Sequence, residues 1–365
     1  MDVERIAIIE PSEWNAAVSA SDDTWIFHRW EWFEMTANVW DLENHFFVIR
    51  NQGQIVAGIP LQISQANPPT QRVAQASAMG HSGPFVRANV SAKKKSQYLN
   101  QLATAVKLFA AERQIPVVQC SLPPMAKSQL RNQSGVNSLQ LSGWQDTSTL
   151  SVVVDLRLPQ EDLWFGLSSS TRQTITKARS DGYTVEKTSW PEQVDVYYQI
   201  HQETYTRTGV RPHPKSYFQG ITDVMAVNSL ATPWVCLDSR GQTVGFLNMA
   251  HDDCTGENTG AYYWTGCSQS EHLASGVNYL LMWHAILGAQ AEGYQSFDVG
   301  EIILTPEQVK EKGLSIFKRK FGGELRRLYR GEMTVPLSSK TRILDFSWRC
   351  GRKAKKVLSS TVGMA

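Results

Sequence analysis

Two segments far apart in the chain share one pattern: an apolar run, a short polar turn with Gly-Gln, and a second apolar run. They are IRNQGQIVAGIPL at 49–61 and CLDSRGQTVGFLNM at 236–249. Apolar runs of strand length on either side of a Gly-containing turn predict a β-hairpin. The same pattern in both halves indicates an internal duplication, so the chain is expected to build two domains of similar architecture.

The length agrees with two domains, because 365 residues exceed the roughly 100–200 residues of one domain. The polar, irregular stretch 124–146 marks the boundary. We therefore predict an N-terminal domain at 1–146, a C-terminal domain at 147–335 and a basic tail at 336–365. In the second domain the apolar patterns predict a helix over 159–180, a strand over 258–268 and a helix over 276–294.

Several classes of protein are excluded by composition and motifs. No apolar run reaches the roughly 20 residues of a membrane helix, and the start is too polar for a signal peptide, which predicts a cytoplasmic protein. Five cysteines without CxxC spacing predict reduced, buried thiols, and eight histidines without paired spacing predict no metal site. GxSxG, GxGxxG and P-loop motifs are missing, which argues against covalent hydrolases and nucleotide-binding enzymes.

Positive charge is concentrated near the C-terminus, although the net charge of the chain is only +2. Between Lys318 and Lys356 there are 13 Lys or Arg and three acidic residues. This asymmetry indicates an anionic partner, such as RNA or a membrane surface, or else a solvated basic tail. Residues 341–358 (TRILDFSWRCGRKAKKVL) could form a basic amphipathic helix that contacts the inner face of a membrane. DNA is not an expected partner.

Four segments in the second half together resemble a known family. They are WFGLSSSTRQTITKA (164–178), IHQETYTRTGVRPHPKSYF (200–218), LLMWHAILGAQAEGYQSFDVG (280–300) and GLSIFKRKFGGEL (313–325). In this order they are similar to the Fem family of peptidoglycan interpeptide-bridge transferases. They resemble still more the broader Fem-like acyltransferases of the GNAT superfamily.

The resemblance implies an α/β (α+β) fold with two tandem GNAT-like domains, each built on a mixed, mostly antiparallel sheet with helices on both faces. It implies an N-acyltransferase without a bound cofactor, whose co-substrate is an aminoacyl-tRNA or an acyl-CoA. The expected acceptor is an amine of a cell-envelope precursor, lipid-linked or small, or of an amino sugar. An alternative is a non-catalytic module of this fold that binds RNA or an anionic membrane through its basic C-terminal region.

The chain departs from the family pattern in two places that bear on its substrates. Residues 27–36, where family members that bind precursor place a lysine, contain none. The positions that would hold the pyrophosphate of CoA are His272, Ser275 and Val277, instead of the glycine-rich pattern whose backbone N–H groups bind that anion. The identity of the donor therefore stays open.

Acyl transfer to an amine needs a cation or donors aimed at the tetrahedral oxyanion, and a route for the amine proton. Lys318 stands between two aromatic residues in IFKRKFGG and is the predicted oxyanion donor, while the resemblance implies that Phe317 and Lys318 contact the acyl ester. The alternative is a solvated basic strand end. Asp298, at the end of an apolar strand, is the predicted proton acceptor or amine-positioning group, or else a strand-end cap, with Glu301 a weaker base.

Three further residues are predicted to bind substrate. Arg207, near the end of a predicted helix, could hold an anionic group by a bidentate fork, or form a surface ion pair. Arg172 could contact phosphate, or lie on a solvated helix face. Tyr263 lies on the strand expected to border the acyl cleft, on the opposite face from Tyr262 and Trp264.

Overall fold

The computed structural model describes residues 2–65, 72–132, 135–252, 260–303 and 309–338. Most of the predicted basic tail, including the amphipathic segment 341–358, lies outside the described residues. None of the helices in these ranges is long and apolar enough to cross a membrane.

The described strands form two sheets. In chain order they are β1 Val3–Ile6, β2 Leu42–Asn51, β3 Gln54–Ser64, β4 Val73–Gln75, β5 Phe85–Val86, β6 Val117–Ser121, β7 Gln145–Asp146, β8 Thr149–Asp155, β9 Thr184–Lys187, β10 Ala231–Leu237, β11 Thr243–His251, β12 Ala261–Ser268, β13 Ser296–Ile302, β14 Glu324–Leu328 and β15 Arg330–Thr334.

The α-helices lie between the strands. They are α1 Pro11–Ser19, α2 Trp30–Trp40, α3 Ala92–Glu112, α4 Lys127–Leu130, α5 Gln160–Gly166, α6 Ser169–Ser180, α7 Trp190–Arg207, α8 Lys215–Gly220, α9 Val277–Ala291 and α10 Val309–Arg319. Short 3₁₀ turns occur at Ile26–His28, Ser138–Ser142 and Ser270–Ser275, and a π-helical turn follows α8 at Ile221–Ala226.

The two sheets repeat one strand order. The first runs β1-β2-β3-β4-β6-β15-β7, with β5 beside β3, and the second runs β14-β8-β13-β12-β11-β10-β9. Each contains an antiparallel hairpin (β2–β3 or β10–β11) followed by a third strand, β4 or β12. That strand forms a parallel pair with the next one, β6 or β13, to which a segment containing helix α3 or α9 connects it. The predicted fold of two tandem, mostly antiparallel α/β domains is confirmed.

Local sequence explains the first hairpin. Gln52 and Gly53 form the two-residue turn, with φ angles of 50° and 78°. Two successive positive φ values match the right-handed twist of the flanking strands, and glycine adopts such angles without steric cost. The hairpin predicted from residues 49–61 therefore forms, with strands that extend to Leu42 and Ser64.

The predicted helix over 159–180 is instead two helices. The first ends at Gly166, Leu167 is extended with a ψ of 147°, and the second begins at Ser169. The hydroxyl of Ser168 accepts a hydrogen bond from the backbone N–H of Thr171 at 3.2 Å, which is a helix N-cap. A serine able to cap favours a restart of the helix at this point over its continuation.

The end of the described chain returns to the first sheet. After β14 pairs with β8, strand β15 pairs with β6. Residues 330–334, which the predicted boundary at 335 assigns to the second domain, therefore lie in the sheet of the first. This crossing places Arg330 between the two sheets.

Aromatic side chains fill the contact between the domains. Trp32 of the first domain packs against Trp264 of the second with ring centroids 4.8 Å apart. Phe27 and Trp25 meet Tyr262 edge-on at 5.6 and 6.3 Å. Because these rings are mostly buried, their burial holds the two sheets at a fixed separation.

Candidate functional site

The second sheet forks at its parallel pair. Strands β12 and β13 pair over two residues only, Ala261 with Phe297 and Tyr262 with Asp298, within the described chain. Beyond that point β12 continues alongside β11, while β13 continues alongside β8. Where two parallel strands stop pairing, a gap opens between them. Backbone groups and side chains of both strands can face this gap. Several of the predicted site residues lie on these strands and on α10.

Asp298 lies where the fork begins, and its side chain is 1% exposed. Its carboxylate accepts hydrogen bonds from the hydroxyl of Ser151 and from the backbone N–H of Gly300, the latter at 2.8 Å. Burial raises the pKa of Asp298 from its ordinary value to about 6, against the opposing effects of these hydrogen bonds and of Lys318. Such a carboxylate is ionised at neutral pH and accepts a proton more readily than an exposed one.

Lys318 lies in the last turn of α10, not on a strand end, and is 9% exposed. Its Nζ donates a hydrogen bond to the backbone carbonyl of Glu301 at 2.8 Å, and its charge interacts with the carboxylate of Asp298. Burial lowers the pKa of Lys318, while Asp298 and Glu301 act in the opposite direction. The structure thus brings both predicted catalytic residues into one buried cluster.

Gly300 makes room for this ammonium group. Its φ of 106° belongs to the region that favours glycine, and a Cβ atom at this position would lie 2.9 Å from the Nζ of Lys318. The glycine of the FDVG motif therefore serves two purposes: it donates its N–H to Asp298 and leaves space for Lys318.

An aromatic cluster lies beside Lys318. The ring of Phe317 is 5.1 Å from that of Tyr279 and 5.0 Å from that of Phe321, and both Phe317 and Tyr263 are partly buried against the core packed around α9. Tyr263 lies on the face opposite Tyr262 and Trp264, as the alternation predicts. The predicted substrate contacts of Phe317 and Tyr263 remain predictions, but both side chains border the helix that follows the fork.

Arg207 lies at the loop that leads into α9. Its guanidinium donates to the hydroxyl of Ser270 at 2.5 Å and lies 3.9 Å from the carboxylate of Glu203. Glu203 in turn accepts the backbone N–H of Ser270 at 2.6 Å, and hydrogen bonds from the Ser270 hydroxyl and from this N–H lower the pKa of Glu203. Glu203 and Arg207 therefore hold the start of this loop, two residues before His272, the first of the positions where the GNAT pattern would place pyrophosphate.

Arg172 has a local structural contact. Its guanidinium donates to the carbonyl oxygens of Phe165 at 3.0 Å and Leu167 at 2.5 Å, and it lies over the Phe165 ring. These bonds satisfy carbonyls at the break between α5 and α6. The predicted phosphate contact of Arg172 stays a prediction, and the hydrogen bonds of this side chain give it no support.

Two residues that sequence reasoning did not identify join the cluster. Arg330, on β15, donates from Nη2 to the carboxylate of Glu301 at 2.6 Å. His81, in the loop after β4, packs edge-on against Tyr262 at 6.2 Å. Burial, together with the charges of Arg330 and Lys318, lowers the pKa of His81 to about 3, so its ring is neutral. Only the return of β15 to the first sheet brings these residues together, and no sequence motif marks them.

The metal and cysteine predictions can be compared only with the described ranges. There, no group of three or more His, Cys, Asp or Glu side chains could hold a metal ion. Cys120, Cys236 and Cys267 are buried free thiols.

The second domain matches a family model. Residues 168–311 match the family described as acetyltransferase (GNAT) domain. No curated protein sequence matches the chain.

Solved structures share the fold of the whole chain. FemX has a TM-score of 0.66 at 14% identity, covering 89% of this chain and 96% of its own. The C-terminal domain (DUF2156) of a putative lysylphosphatidylglycerol synthetase from Agrobacterium fabrum has a TM-score of 0.56 at 15% identity, covering 88% and 90%. A tandem GNAT protein from the clavulanic acid biosynthesis pathway has a TM-score of 0.53 at 12% identity, covering 93% and 100%. The chain therefore carries an acetyltransferase (GNAT) domain in its second half, within the two-domain fold of Fem-like and tandem GNAT proteins.

Proposed function

We propose that this chain is an N-acyltransferase that moves an aminoacyl or acyl group from an activated carrier to an amine of a cell-envelope precursor or an amino sugar. The observation that carries the proposal is a buried cation and a buried carboxylate held on the same strand: Lys318 donates to the carbonyl of Glu301 and lies against Gly300, whose N–H binds Asp298. One is a fixed cation and the other a proton acceptor, which are the two groups that aminolysis of an ester or thioester requires.

The reaction is a direct transfer. The amine nitrogen attacks the carbonyl carbon of the acyl group, and the N–H groups of Lys318 not used by Glu301 stabilise the developing oxyanion. Asp298 takes the proton that the amine loses. The C–N bond forms, the carrier leaves with the electrons of its C–O or C–S bond, and Asp298 returns the proton so that the carrier departs as an alcohol or thiol. No covalent enzyme intermediate is needed. Because both groups are already held in place, they need little reorganisation in the transition state.

We infer that the donor is an aminoacyl-tRNA rather than an acyl-CoA. The positions that would hold the pyrophosphate of CoA are His272, Ser275 and Val277 instead of a glycine-rich pattern, which disfavours a pyrophosphate. The segment that holds Lys318 continues with Arg319, Lys320 and Arg326. A basic surface of this kind suits a polyanion more than a single diphosphate. The name of the lysylphosphatidylglycerol synthetase denotes a lysyl group on a lipid, which is consistent with an aminoacyl donor.

The test is transfer from a charged aminoacyl-tRNA mixture and from a panel of acyl-CoAs, with wild type, Lys318→Met and Lys312→Met. Lys312 is an exposed lysine of the same helix and is the matched control. We expect Lys318→Met to lower kcat about 10²–10³-fold, as when one oxyanion donor is lost, and Lys312→Met to leave it unchanged. Thermal melts of the variants separate loss of chemistry from loss of folding.

Unchanged turnover in folded Lys318→Met would remove the proposed role of this lysine. Transfer from acyl-CoA but not from aminoacyl-tRNA would correct the donor and leave the reaction intact. Transfer from neither donor would favour the non-catalytic module.

A further inference from the structure

Glu301, on β13, lies between two cations and binds each of them with a different group. Its backbone carbonyl accepts a hydrogen bond from Nζ of Lys318 at 2.8 Å, while its carboxylate accepts one from Nη2 of Arg330 at 2.6 Å. Within the described chain, the carboxylate of Glu301 is ion-paired with Arg330, and Lys318 forms no ion pair. An ammonium group has three N–H donors, so two of those of Lys318 stay unused by the residues that the structure describes.

Arg330 is held in place independently of Glu301. It pairs with Ser121 of β6 in the first sheet. Its backbone N–H donates to the hydroxyl of Ser148 at 3.2 Å, and its carbonyl accepts a hydrogen bond from the amide of Asn137 at 2.8 Å. These contacts use the backbone alone, so the first domain presents the guanidinium to Glu301 from a fixed point.

The strand that carries Glu301 is irregular next to it. The register of β13 against β8 shifts between Asp298 and Gly300, and β12 pairs with β13 no further than Asp298. Such bulges change the direction of the following side chains and are frequent next to active sites. Where the parallel ladder ends, Glu301 is therefore held by side chains of other elements: Lys318 from α10 and Arg330 from β15.

The charges of these groups act on one another. The charge of Glu301 acts on Lys318, and the charges of Lys318 and Arg330 both lower the pKa of His81. The side chain of Glu301 is only 26% exposed, so without Arg330 its carboxylate would be a largely buried anion that lacks a partner. Lys318 is the remaining cation beside it. A carboxylate bound directly to that ammonium group would occupy its N–H groups and neutralise its charge.

We propose that Arg330 is a positioning residue for acyl transfer: it holds the carboxylate of Glu301 away from the ammonium group of Lys318, whose N–H groups then remain available to the oxyanion. This proposal rests on the proposed function, in which Lys318 stabilises that oxyanion. Arg330 acts through Glu301 and touches no reacting atom. Because Arg330 lies in the first sheet, the first domain takes part in the chemistry of the second.

The test measures kcat and KM of wild type and four variants: Arg330→Gln, Glu301→Gln, the double variant that carries both, and Arg327→Gln. Arg327 is an exposed arginine on the adjoining strand β14 and is the matched control. We expect Arg330→Gln to lower kcat about ten- to hundredfold with KM unchanged, which is part of the loss that removal of an oxyanion donor produces. Glu301→Gln and the double variant should keep kcat within about threefold of wild type, because a neutral amide competes weakly for the ammonium group. Arg327→Gln should match wild type.

An ion pair that only fastens the two domains together predicts a different result. Its loss would have the same effect from either side, so Glu301→Gln and the double variant would be as slow as Arg330→Gln. That outcome would overturn the proposal, as would an unchanged kcat in Arg330→Gln or an equal loss in Arg327→Gln. Thermal melts check that each variant is folded, which we expect because the backbone contacts of β15 do not use the guanidinium.

A second readout needs neither donor nor acceptor. The titration of Lys318 is followed by the ¹³Cε chemical shift in lysine-labelled protein, and the signal is identified by its loss in Lys318→Met. A carboxylate that moves onto an ammonium group raises its pKa. The pKa of Lys318 should therefore be higher in Arg330→Gln than in wild type, and it should return towards the wild-type value in the double variant.

The two readouts separate this proposal from the proposed function. The pKa shift without acyl transfer by wild type from any donor would refute the acyltransferase and leave the arrangement of charges. Transfer by wild type, with no pKa shift in Arg330→Gln, would refute the positioning role and leave the acyltransferase standing.

Discussion

Replacing Asp298 by Asn removes a buried carboxylate while keeping an oxygen that can accept the hydrogen bonds of Ser151 and Gly300. The amide is close in shape to the protonated carboxyl group and cannot ionise. The difference in the free energy of unfolding between wild type and variant therefore measures how much the ionised carboxylate of Asp298 destabilises the folded protein.

The magnitude follows from the pKa. Folding raises the pKa of Asp298 from 3.8 to about 6, and at about 1.4 kcal/mol per pKa unit the ionised group costs the folded state about 3 kcal/mol. Between pH 4 and 6 the folded state binds the proton while the unfolded chain has lost it. The wild type should therefore lose stability as the pH rises through this window, and Asp298→Asn should not.

The assay is urea unfolding of wild type and Asp298→Asn at several pH values from 4 to 8. We expect the two proteins to be equally stable near pH 4, and the variant to be about 3 kcal/mol more stable above pH 7. Other titrating groups cancel in the difference if they are distant from this site. The same variant should lose acyl transfer, so stability and activity change in opposite directions.

Asp155→Asn is the control of opposite sign. The hydrogen bond from Arg157 is the main reason that the pKa of Asp155 is lowered. Its charge therefore stabilises the fold above the unfolded pKa, and this contribution is lost as the pH falls through the folded pKa. Asp155→Asn should be less stable than wild type at pH 7, with a gap that closes in acid. A pH-independent difference for Asp298→Asn would refute the reasoning.

Two further predictions concern the surroundings of the site. Gly323→Ala should destabilise the protein by more than about 2 kcal/mol in urea unfolding, because φ is +80° and the new Cβ would lie 2.5 Å from the carbonyl oxygen of Val153. Gly313→Ala, on α10 with open space around it, should instead stabilise by about 0.5–1 kcal/mol, and equal effects would contradict the argument. Arg330→Gln should raise the pKa of His81, measured by NMR titration of its imidazole, since the guanidinium is the largest charge that lowers it. An unchanged pKa would mean that burial alone accounts for it.

Local sequence predicted much of the second domain. The helix expected over 276–294 forms at Val277–Ala291, and of the strand expected over 258–268 the described residues form Ala261–Ser268. Apolar spacing over these segments is regular, and Gly293, with a φ of 83°, follows the helix as a C-cap residue. Where the apolar periodicity and the turn residues of a short segment both predict the same element, tertiary contacts need not alter its secondary structure.

The candidate site was only partly predictable. The motifs located Lys318 and Asp298, but the basic segment around Lys318 is the end of a helix, and Arg172 contacts carbonyls of its own neighbourhood. The burial of a side chain depends on which residues pack over it in the folded protein. The pKa of about 6 at Asp298 is a consequence of such burial. No spacing along the chain carries that information.

By itself, the sequence determined the two hairpins with their turn glycines and the helix over 276–294, because each depends on a few neighbouring residues. Only the tertiary structure decided that β15 returns to the first sheet, since strand pairing between distant segments is chosen by the whole packing. That return sets Arg330 against Glu301 and near His81. A residue of the first sheet and the buried cluster of the second domain meet because one strand crosses between them.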